Sequence, residues 1–461
     1  MNLKIETLLN IKGTKYIGKS NLYKINFSGF SIDSRKLKKS EIFIAIKGEN
    51  TDGHKYLKDV FNQGCEIAVI NKSNSKLIHQ FKHKSFVVVN DTIKYLGNLA
   101  AYHLSTNRIP VLCVAGSNGK TTTKDLIADV LSVRYNVLKT EGNFNNHIGL
   151  PLTLLRLNNK HNFAVLEVGS NHFGELDYLM EICKPDYGLV TNIGKEHLEF
   201  FKNLNGVAKA EFELYDYLRK NKKFCFFNLD DSFINKYHHK FKSVESFTYS
   251  FTKKSDVIGK FISFDSKFSP IINVSYKNKT SKVKINTFGL HSIYNGLAAI
   301  SVGLYFDINI SEIKKVLLNF EPSSSKRMQV ENYKGITIVN DAYNSNPDSV
   351  LMGLKSIAEY KTKGNKYIVL GDMLELGKSS KSEHSAIGKS VKKMNFKNLY
   401  TYGNESYNTF ISAKGVMNNH YFTDKTLIAE MLKRELSKND IVYLKGSRGM
   451  KMEEILENLK N

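Results

Sequence analysis

The stretch Val111-Leu112-Cys113-Val114-Ala115-Gly116-Ser117-Asn118-Gly119-Lys120-Thr121-Thr122-Thr123 limits what this chain can fold into more than any other. An apolar strand has to end where Gly116 and Gly119 let the backbone turn tightly, and a helix has to start near Thr121. A turn of that kind aims backbone N–H groups inward and adds the partial positive charge of a helix start, which together cradle phosphate oxygens. Lys120 then reaches the outer phosphates, Thr121 can ligate magnesium, and Gly116, Ser117, Asn118, Gly119 and Thr122 line the same turn. The motif is a shortened phosphate loop, because Val114 stands where the strict pattern has glycine. The chain therefore reads as an ATP user.

Length and pattern around the loop set the architecture. A chain of 461 residues exceeds one core and suggests about three domains. Residues 1–90 carry short apolar runs broken by Gly and Asn, which predicts a small α/β domain. After a helix from Thr92 to Leu104 and the entry at Pro110, apolar strands recur at 163–168, 187–193 and 224–227 with helical patterns between them. Residues 91–320 are thus expected to form a central phosphate-loop domain on a mostly parallel sheet, with an antiparallel extension between Ser246 and Phe288. Beyond Pro322 the alternation resumes to the end, so 321–461 is expected to be a second doubly wound, Rossmann-like domain. The fold class is α/β throughout.

A formal charge of +23 invites nucleic acid as a partner, but the lysines are scattered rather than gathered into a stripe, which favours a solvated basic surface and no nucleic-acid partner. Cys65, Cys113, Cys183 and Cys225 show no paired spacing and sit mostly in apolar runs, as buried thiols of a reducing compartment do. No run of eighteen apolar residues occurs, so no membrane span is expected and a cytoplasmic location fits.

Three polar strand exits gather near the loop. Glu167 ends the apolar run from Phe163, where a parallel strand delivers its side chain to the ligand edge, and a carboxylate there can hold magnesium. His197 follows the exit Thr191-Asn192-Ile193-Gly194-Lys195-Glu196. The amide-rich loop Thr140-Glu141-Gly142-Asn143-Phe144-Asn145-Asn146 faces the same edge. On the following helix Lys209 and Glu213 are spaced to pair, while Glu211 points elsewhere.

These motifs, in this order, resemble the Mur ligases, ATP-dependent enzymes that extend the peptide of a cell-wall precursor. The resemblance runs over the whole chain. Ser31-Ile32-Asp33-Ser34-Arg35 and Asp52-Gly53-His54 near the start are similar to the branch that adds D-alanyl-D-alanine to UDP-N-acetylmuramoyl-tripeptide. So are Asn340 to Pro347, Gly371-Asp372-Met373-Leu374-Glu375-Leu376-Gly377 with His384, and Lys445-Gly446-Ser447-Arg448.

The resemblance implies a UDP-substrate domain over 1–90, with Ser34 and Arg35 on the UDP end and Asn143 and Asn146 toward the same substrate. It implies ATP and Mg2+ held by Lys120, Thr121 and Glu167, with His197 at a second metal. His291 and Asn295 would face adenine, and the C-terminal domain would bring Arg327 and Asp341 to the nucleotide. Many relatives place a carbamylated lysine on the helix after the histidine. Here that register falls on Glu211, with Lys209 as the other choice, and Ser292 replaces a common asparagine. The implied partners are the two small-molecule substrates, acting on a monomer. Other amino-acid ligases of the family, a folate-polyglutamate ligase, a nucleic-acid-stimulated ATPase and a silent nucleotide-binding scaffold are the alternatives.

Overall fold

The computed structural model describes residues 5–18, 27–49, 51–241, 245–265, 267–290, 292–321 and 329–461. His291, Pro322 and Arg327 lie outside them. Three sheets follow one another along the chain. β1 (Lys15–Ile17), β2 (Gly29–Ser31), β3 (Glu41–Ile44), β4 (Ile67–Asn71) and β5 (Ser85–Val89) form the first, ordered β1-β5-β4-β3-β2 and parallel apart from β1. The second comprises β6 (Val111–Ala115), β7 (Val137–Lys139), β8 (Phe163–Glu167), β9 (Tyr187–Val190), β10 (Phe224–Asn228), β11 (Ser246–Ser250), β12 (Val257–Phe264), β13 (Pro270–Tyr276) and β14 (Lys279–Lys284). Its order is β14-β13-β12-β11-β10-β9-β6-β8-β7.

The third contains β15 (Gln329–Tyr333), β16 (Ile336–Asp341), β17 (Lys366–Gly371), β18 (Asn398–Tyr402), β19 (Asn418–Phe422) and β20 (Ile441–Lys445). They run β15-β16-β20-β17-β18-β19, with only β15 antiparallel.

Burial explains why the parallel strands read as unbroken apolar runs. In β6, Val111, Cys113 and Ala115 enter one core while Leu112 and Val114 enter the core on the opposite face. The helices Glu175–Cys183 and Gly149–Leu154 cover the first face, and Lys120–Leu131 and Ser292–Tyr305 cover the second. The C-terminal sheet repeats the scheme, with Ile338 and Val369 on one side and Val339 and Ile368 on the other.

The helix Thr92–Thr106 joins the first two sheets. Asp91 caps it by accepting from the N–H groups of Ile93 and Lys94, a contribution of about 1 kcal/mol. Its Thr92 hydroxyl donates to the Ala45 carbonyl of the first unit, and its His103 ring meets the Leu157 carbonyl of the second. Leu96, Leu99 and Ala100 lie in one core that runs from Ile42 to Leu179.

Two expectations change. The antiparallel extension starts only at β13, because β11 pairs in parallel with both β10 and β12. Lys209 also does not pair with Glu213: the Glu213 carboxylate instead accepts from the N–H groups of Gly174 and Asp177 at the start of the helix Glu175–Cys183. An orphan helix start competes well for a carboxylate. The Lys209 ammonium lies 5.4 Å from the Phe173 ring centroid.

Candidate active site

The strand β6 delivers the chain into the turn Gly116-Ser117-Asn118-Gly119, and the helix Lys120–Leu131 leaves it. Gly116 and Gly119 have φ of +113° and +79°. A Cβ on Gly116 would stand 2.3 Å from the Thr191 hydroxyl oxygen, and one on Gly119 would stand 2.4 Å from Asn295 Oδ1. Both positions require glycine on conformation and on space.

The turn is gripped from behind. The Gly116 N–H donates to Glu211 Oε2 at 2.5 Å, Ser117 N–H to the Asn192 carbonyl at 2.9 Å, and Asn118 N–H to Asn192 Oδ1 at 3.1 Å. The N–H groups available to an anion are therefore those from Gly119 to Thr122, which have no acceptor among the described residues. They sit at the positive end of a twelve-residue helix.

Glu167 and Thr121 meet across the turn. The Thr121 hydroxyl donates to Glu167 Oε2 at 2.6 Å, and Asn145 Nδ2 donates to Glu167 Oε1 at 2.8 Å. Both Thr121 and Glu167 are buried. Lys124, on the same helix as Thr121, binds the Thr140 carbonyl at 2.7 Å, and the Thr140 hydroxyl accepts from the Glu167 N–H at 3.0 Å. The amide loop thus contributes Asn145. Asn143 and Asn146 are exposed, and Asn146 Oδ1 accepts from Ile148 and Gly149 at the next helix start.

Lys120 folds back toward Gly116, with Nζ 3.3 Å from Glu196 Oε2. Burial works against its charge, but Glu196, Glu211 and Glu167 outweigh that and hold its pKa above the ordinary lysine value. Glu211 is fully buried and Lys209 is exposed. Burial pushes the Glu211 carboxyl up to about 8, with Lys120 pulling against it and Glu196 adding to it. Glu211 Oε1 and Glu196 Oε1 have no hydrogen-bond partner among the described residues.

The exit after β9 carries Glu196 and His197 and meets the C-terminal domain. His197, at φ +46°, places Nδ1 2.6 Å from Glu375 Oε2. Burial lowers the His197 pKa, and Glu375 and Glu196 more than reverse it, so the ring is held above its ordinary value. Glu375 is presented by a pinned loop: Asp372 accepts from Ser406 N–H, His384 Nε2 accepts from Met373 N–H, and Ser447 Oγ accepts from Leu374 N–H. Residues 372–374 of this string, with His384, thus hold the backbone that presents Glu375. Asn344, Ser345, Ser447 and Arg448 line a cleft between the domains with Glu196 and His197.

Asn295 touches the turn, accepting from the Thr123 hydroxyl at 3.1 Å. Asp341, at the end of β16, is held by Lys445 Nζ at 2.6 Å and Tyr443 OH at 3.2 Å. Ser34 and Arg35 follow β2 in the N-terminal sheet. Arg35 is mostly exposed and binds Asp33 through two nitrogens, each at 2.9 Å.

The structure brings together Gly116 to Thr122, Glu167, Asn295, Glu211 and His197, and adds Asn145, Asn192 and Glu196, which sequence reading quoted only inside longer strings. Among the described residues, the side chains of Ser34, Arg35, Asn143, Asn146 and Asp341 make no hydrogen bond or ion pair to the side chains of that group; Asn143 meets it only through its carbonyl, which accepts from the Asn145 N–H at 2.8 Å. No cluster of three or more His, Cys, Asp or Glu among the described residues forms a metal cage. Magnesium in a nucleotide site needs only one or two carboxylates beside phosphate oxygens, and the Thr121–Glu167 pair with the unfilled Glu211 and Glu196 oxygens suits such a hard ion.

Comparison with known proteins covers nearly the whole chain. Residues 26–112 match the model of the Mur ligase family, catalytic domain, residues 114–303 that of the Mur ligase middle domain, and residues 326–448 that of the Mur ligase, glutamate ligase domain. The UDP-N-acetylmuramoyl-tripeptide--D-alanyl-D-alanine ligase of Bacillus subtilis is 32% identical over 94% of this chain and 93% of its own. The enzyme of that name from Haemophilus influenzae is 31% identical over 100% and 99%. A crystal structure of MurF from Acinetobacter baumannii superposes with a TM-score of 0.83 at 26% identity, covering 94% of this chain and 93% of that one.

Proposed function

The chain belongs to the Mur ligase family, and from that premise we propose that it joins D-alanyl-D-alanine to UDP-N-acetylmuramoyl-tripeptide at the expense of ATP. It is an ATP-dependent ligase that forms a C–N bond in peptidoglycan precursor synthesis. A carboxylate does not react with an amine until one of its oxygens becomes a leaving group. The tripeptide's terminal carboxylate therefore attacks the γ-phosphate of ATP, ADP departs, and the dipeptide amine displaces phosphate from the acyl phosphate.

Two anions must first be brought together. Lys120 and the N–H groups from Gly119 to Thr122 hold the phosphates and spread the charge. Thr121 with Glu167, and Glu211 with His197, would hold Mg2+, which supplies charge neutralisation at the phosphates when bound. Glu211 takes the role over Lys209, because it is buried against the turn whereas Lys209 is exposed beside Phe173. Asn295 and His291 attend the base, Asp341 and Arg327 the nucleotide from the C-terminal side, and Ser34, Arg35, Asn143 and Asn146 the UDP-linked substrate. The units 1–90, 91–320 and 321–461 close on one another to shut water out. The enzyme works as a monomer in the cytoplasm, without nucleic acid; among the described residues no helix is long and apolar enough to cross a membrane.

The observation that carries this reading is the 2.6 Å meeting of Thr121 and Glu167 beside a helix start whose N–H groups await an anion. Phosphate release is the test. It should require UDP-tripeptide, turn over steadily only with D-alanyl-D-alanine, and ignore added DNA or RNA. Lys120→Ala should lower it by at least about a hundredfold. Release stimulated by nucleic acid and indifferent to the dipeptide would overturn the reading.

A further inference from the structure

The loop 191–197 has two sides. On one side it holds the phosphate turn: Thr191 Oγ1 donates to the Asn118 carbonyl at 2.7 Å, Asn192 Nδ2 donates to the same oxygen at 2.9 Å, and Gly194 N–H donates to Ser117 Oγ at 2.8 Å. On the other side Lys195 faces the C-terminal domain. Its N–H donates to Asp348 Oδ2 at 2.7 Å and its Nζ lies 2.6 Å from Glu383 Oε1. Asp348 is in the first turn of the helix Pro347–Glu359, and Glu383 is in the first turn of the helix Ser380–Lys393. The two helices pack on each other, so one residue grips two elements of a single rigid unit.

We infer that Lys195 is a positioning residue: it fixes the C-terminal domain against the phosphate turn, so that the cleft lined by Asn344, Ser447 and Arg448 stands at a set distance from Lys120. The turn itself meets that domain directly through a side-chain hydrogen bond, Asn346 Nδ2 donating to Asn118 Oδ1 at 2.9 Å. Lys195 adds a further attachment, beside the His197–Glu375 contact of the same loop, through a segment that several hydrogen bonds already lock to the turn. Its side chain is 35% exposed while that of Glu383 is only 14% exposed, so loss of the lysine leaves a mostly covered carboxylate without its cation. The backbone N–H to Asp348 survives any side-chain change and keeps the loop in place, which separates positioning from folding.

Two variants remove the ion pair from opposite sides, Lys195→Met and Glu383→Gln. Each should lower kcat for ligation by about tenfold, the size of an ordinary coupling between two sites, and leave the Kd for ADP and the KM values for ATP, UDP-tripeptide and D-alanyl-D-alanine within about twofold. The double variant should lose no more than either single one, and Lys195→Glu combined with Glu383→Lys should regain at least half of the activity. The kinetic arm rests on the ligase reading. Small-angle scattering on the protein without substrates does not, and both single variants should show a larger maximum dimension than the parent. Parental kcat in either single variant, losses that add in the double variant, a loss that resides in ADP affinity, or unchanged scattering would each overturn the inference.

Discussion

At Glu211 two demands conflict. A carboxylate with no solvent exposure should be neutral, yet its Oε2 accepts from the Gly116 N–H and Lys120 lies close enough to pull its pKa down. A group held near neutrality in this way is ready to ionise once more positive charge enters, which is what a magnesium nucleotide brings. Lys209, two residues earlier, spends its charge on a phenylalanine face at the surface. Glu211→Gln should therefore cut ligation by at least about a hundredfold, in line with loss of a preorganised electrostatic group, while Lys209→Ala stays within about threefold of the parent. Steady-state phosphate release measures both, and the reverse ranking would return the role to Lys209. The sequence register set by Phe212-Glu213-Leu214-Tyr215 pointed to Glu211, and Glu211 is the one of the two that lies buried at the phosphate turn; the assay decides its role. The choice among Asn143, Asn145 and Asn146 was not legible in the sequence, since three amides in one turn look alike until the backbone decides which one faces Glu167.

Among the elements, the helix Thr92–Thr106 joins two domains and carries a buried histidine. His103 Nε2 lies 2.9 Å from the Leu157 carbonyl, and its Nδ1 faces the Asn107 amide nitrogen at 3.2 Å. The neutral ring satisfies both neighbours: it donates at Nε2 and accepts at Nδ1. A second proton would set one donor against another, and burial already lowers the pKa below the ordinary histidine value. The unfolded chain takes up that proton near pH 6.5 while the folded chain resists, so stability is lost as pH falls below about 6.5. His103→Gln keeps a donor for Leu157 and should cost about 1 kcal/mol at pH 7.5, with a gap to the parent that narrows or reverses at pH 5.5. Urea unfolding at the two values checks it, and a gap that widens in acid would contradict the assignment. This helix, the phosphate turn and the buried strands β6, β8, β9, β16, β17, β18 and β20 were readable because each has a strong period or an unbroken apolar run. β19 was not: Asn418-Asn419-His420-Tyr421-Phe422 is a half-buried edge whose backbone pairing, rather than its side chains, makes it a strand. The parallel pairing of β11 escaped for a related reason, since short polar strands carry no sign of direction.

Across the whole molecule, the helix Pro347–Glu359 lies as a bar along the central domain. Thirteen residues span about 20 Å. At its start Asn346 and Asp348 meet Asn118 and Lys195; toward its end the Ser356 hydroxyl accepts from the Leu290 N–H at 3.0 Å, and the following Tyr360 ring stands 4.9 Å from the ring of Phe268. Phe268 has φ +60°, a conformation that bulky residues rarely adopt, and it is stacked on Phe264 at 3.8 Å and tilted against Phe288 at 5.0 Å. The surroundings over-determine that turn, and its product is a fixed aromatic stop for the far end of the bar. A few polar contacts along the bar and an aromatic contact at its far end are what a domain needs if it is to dock and release within a catalytic cycle. An aromatic pair of this kind contributes about 0.5–1.5 kcal/mol, so Tyr360→Ala should loosen docking without unfolding either domain. Scattering should show an enlarged radius of gyration without ligands and return toward the parental value when ADP and UDP-tripeptide are added, while ADP affinity stays within about twofold. A radius indistinguishable from the parent in the absence of ligands would mean that the polar contacts hold the domain by themselves, and that the strained turn at Phe268 serves the central sheet alone.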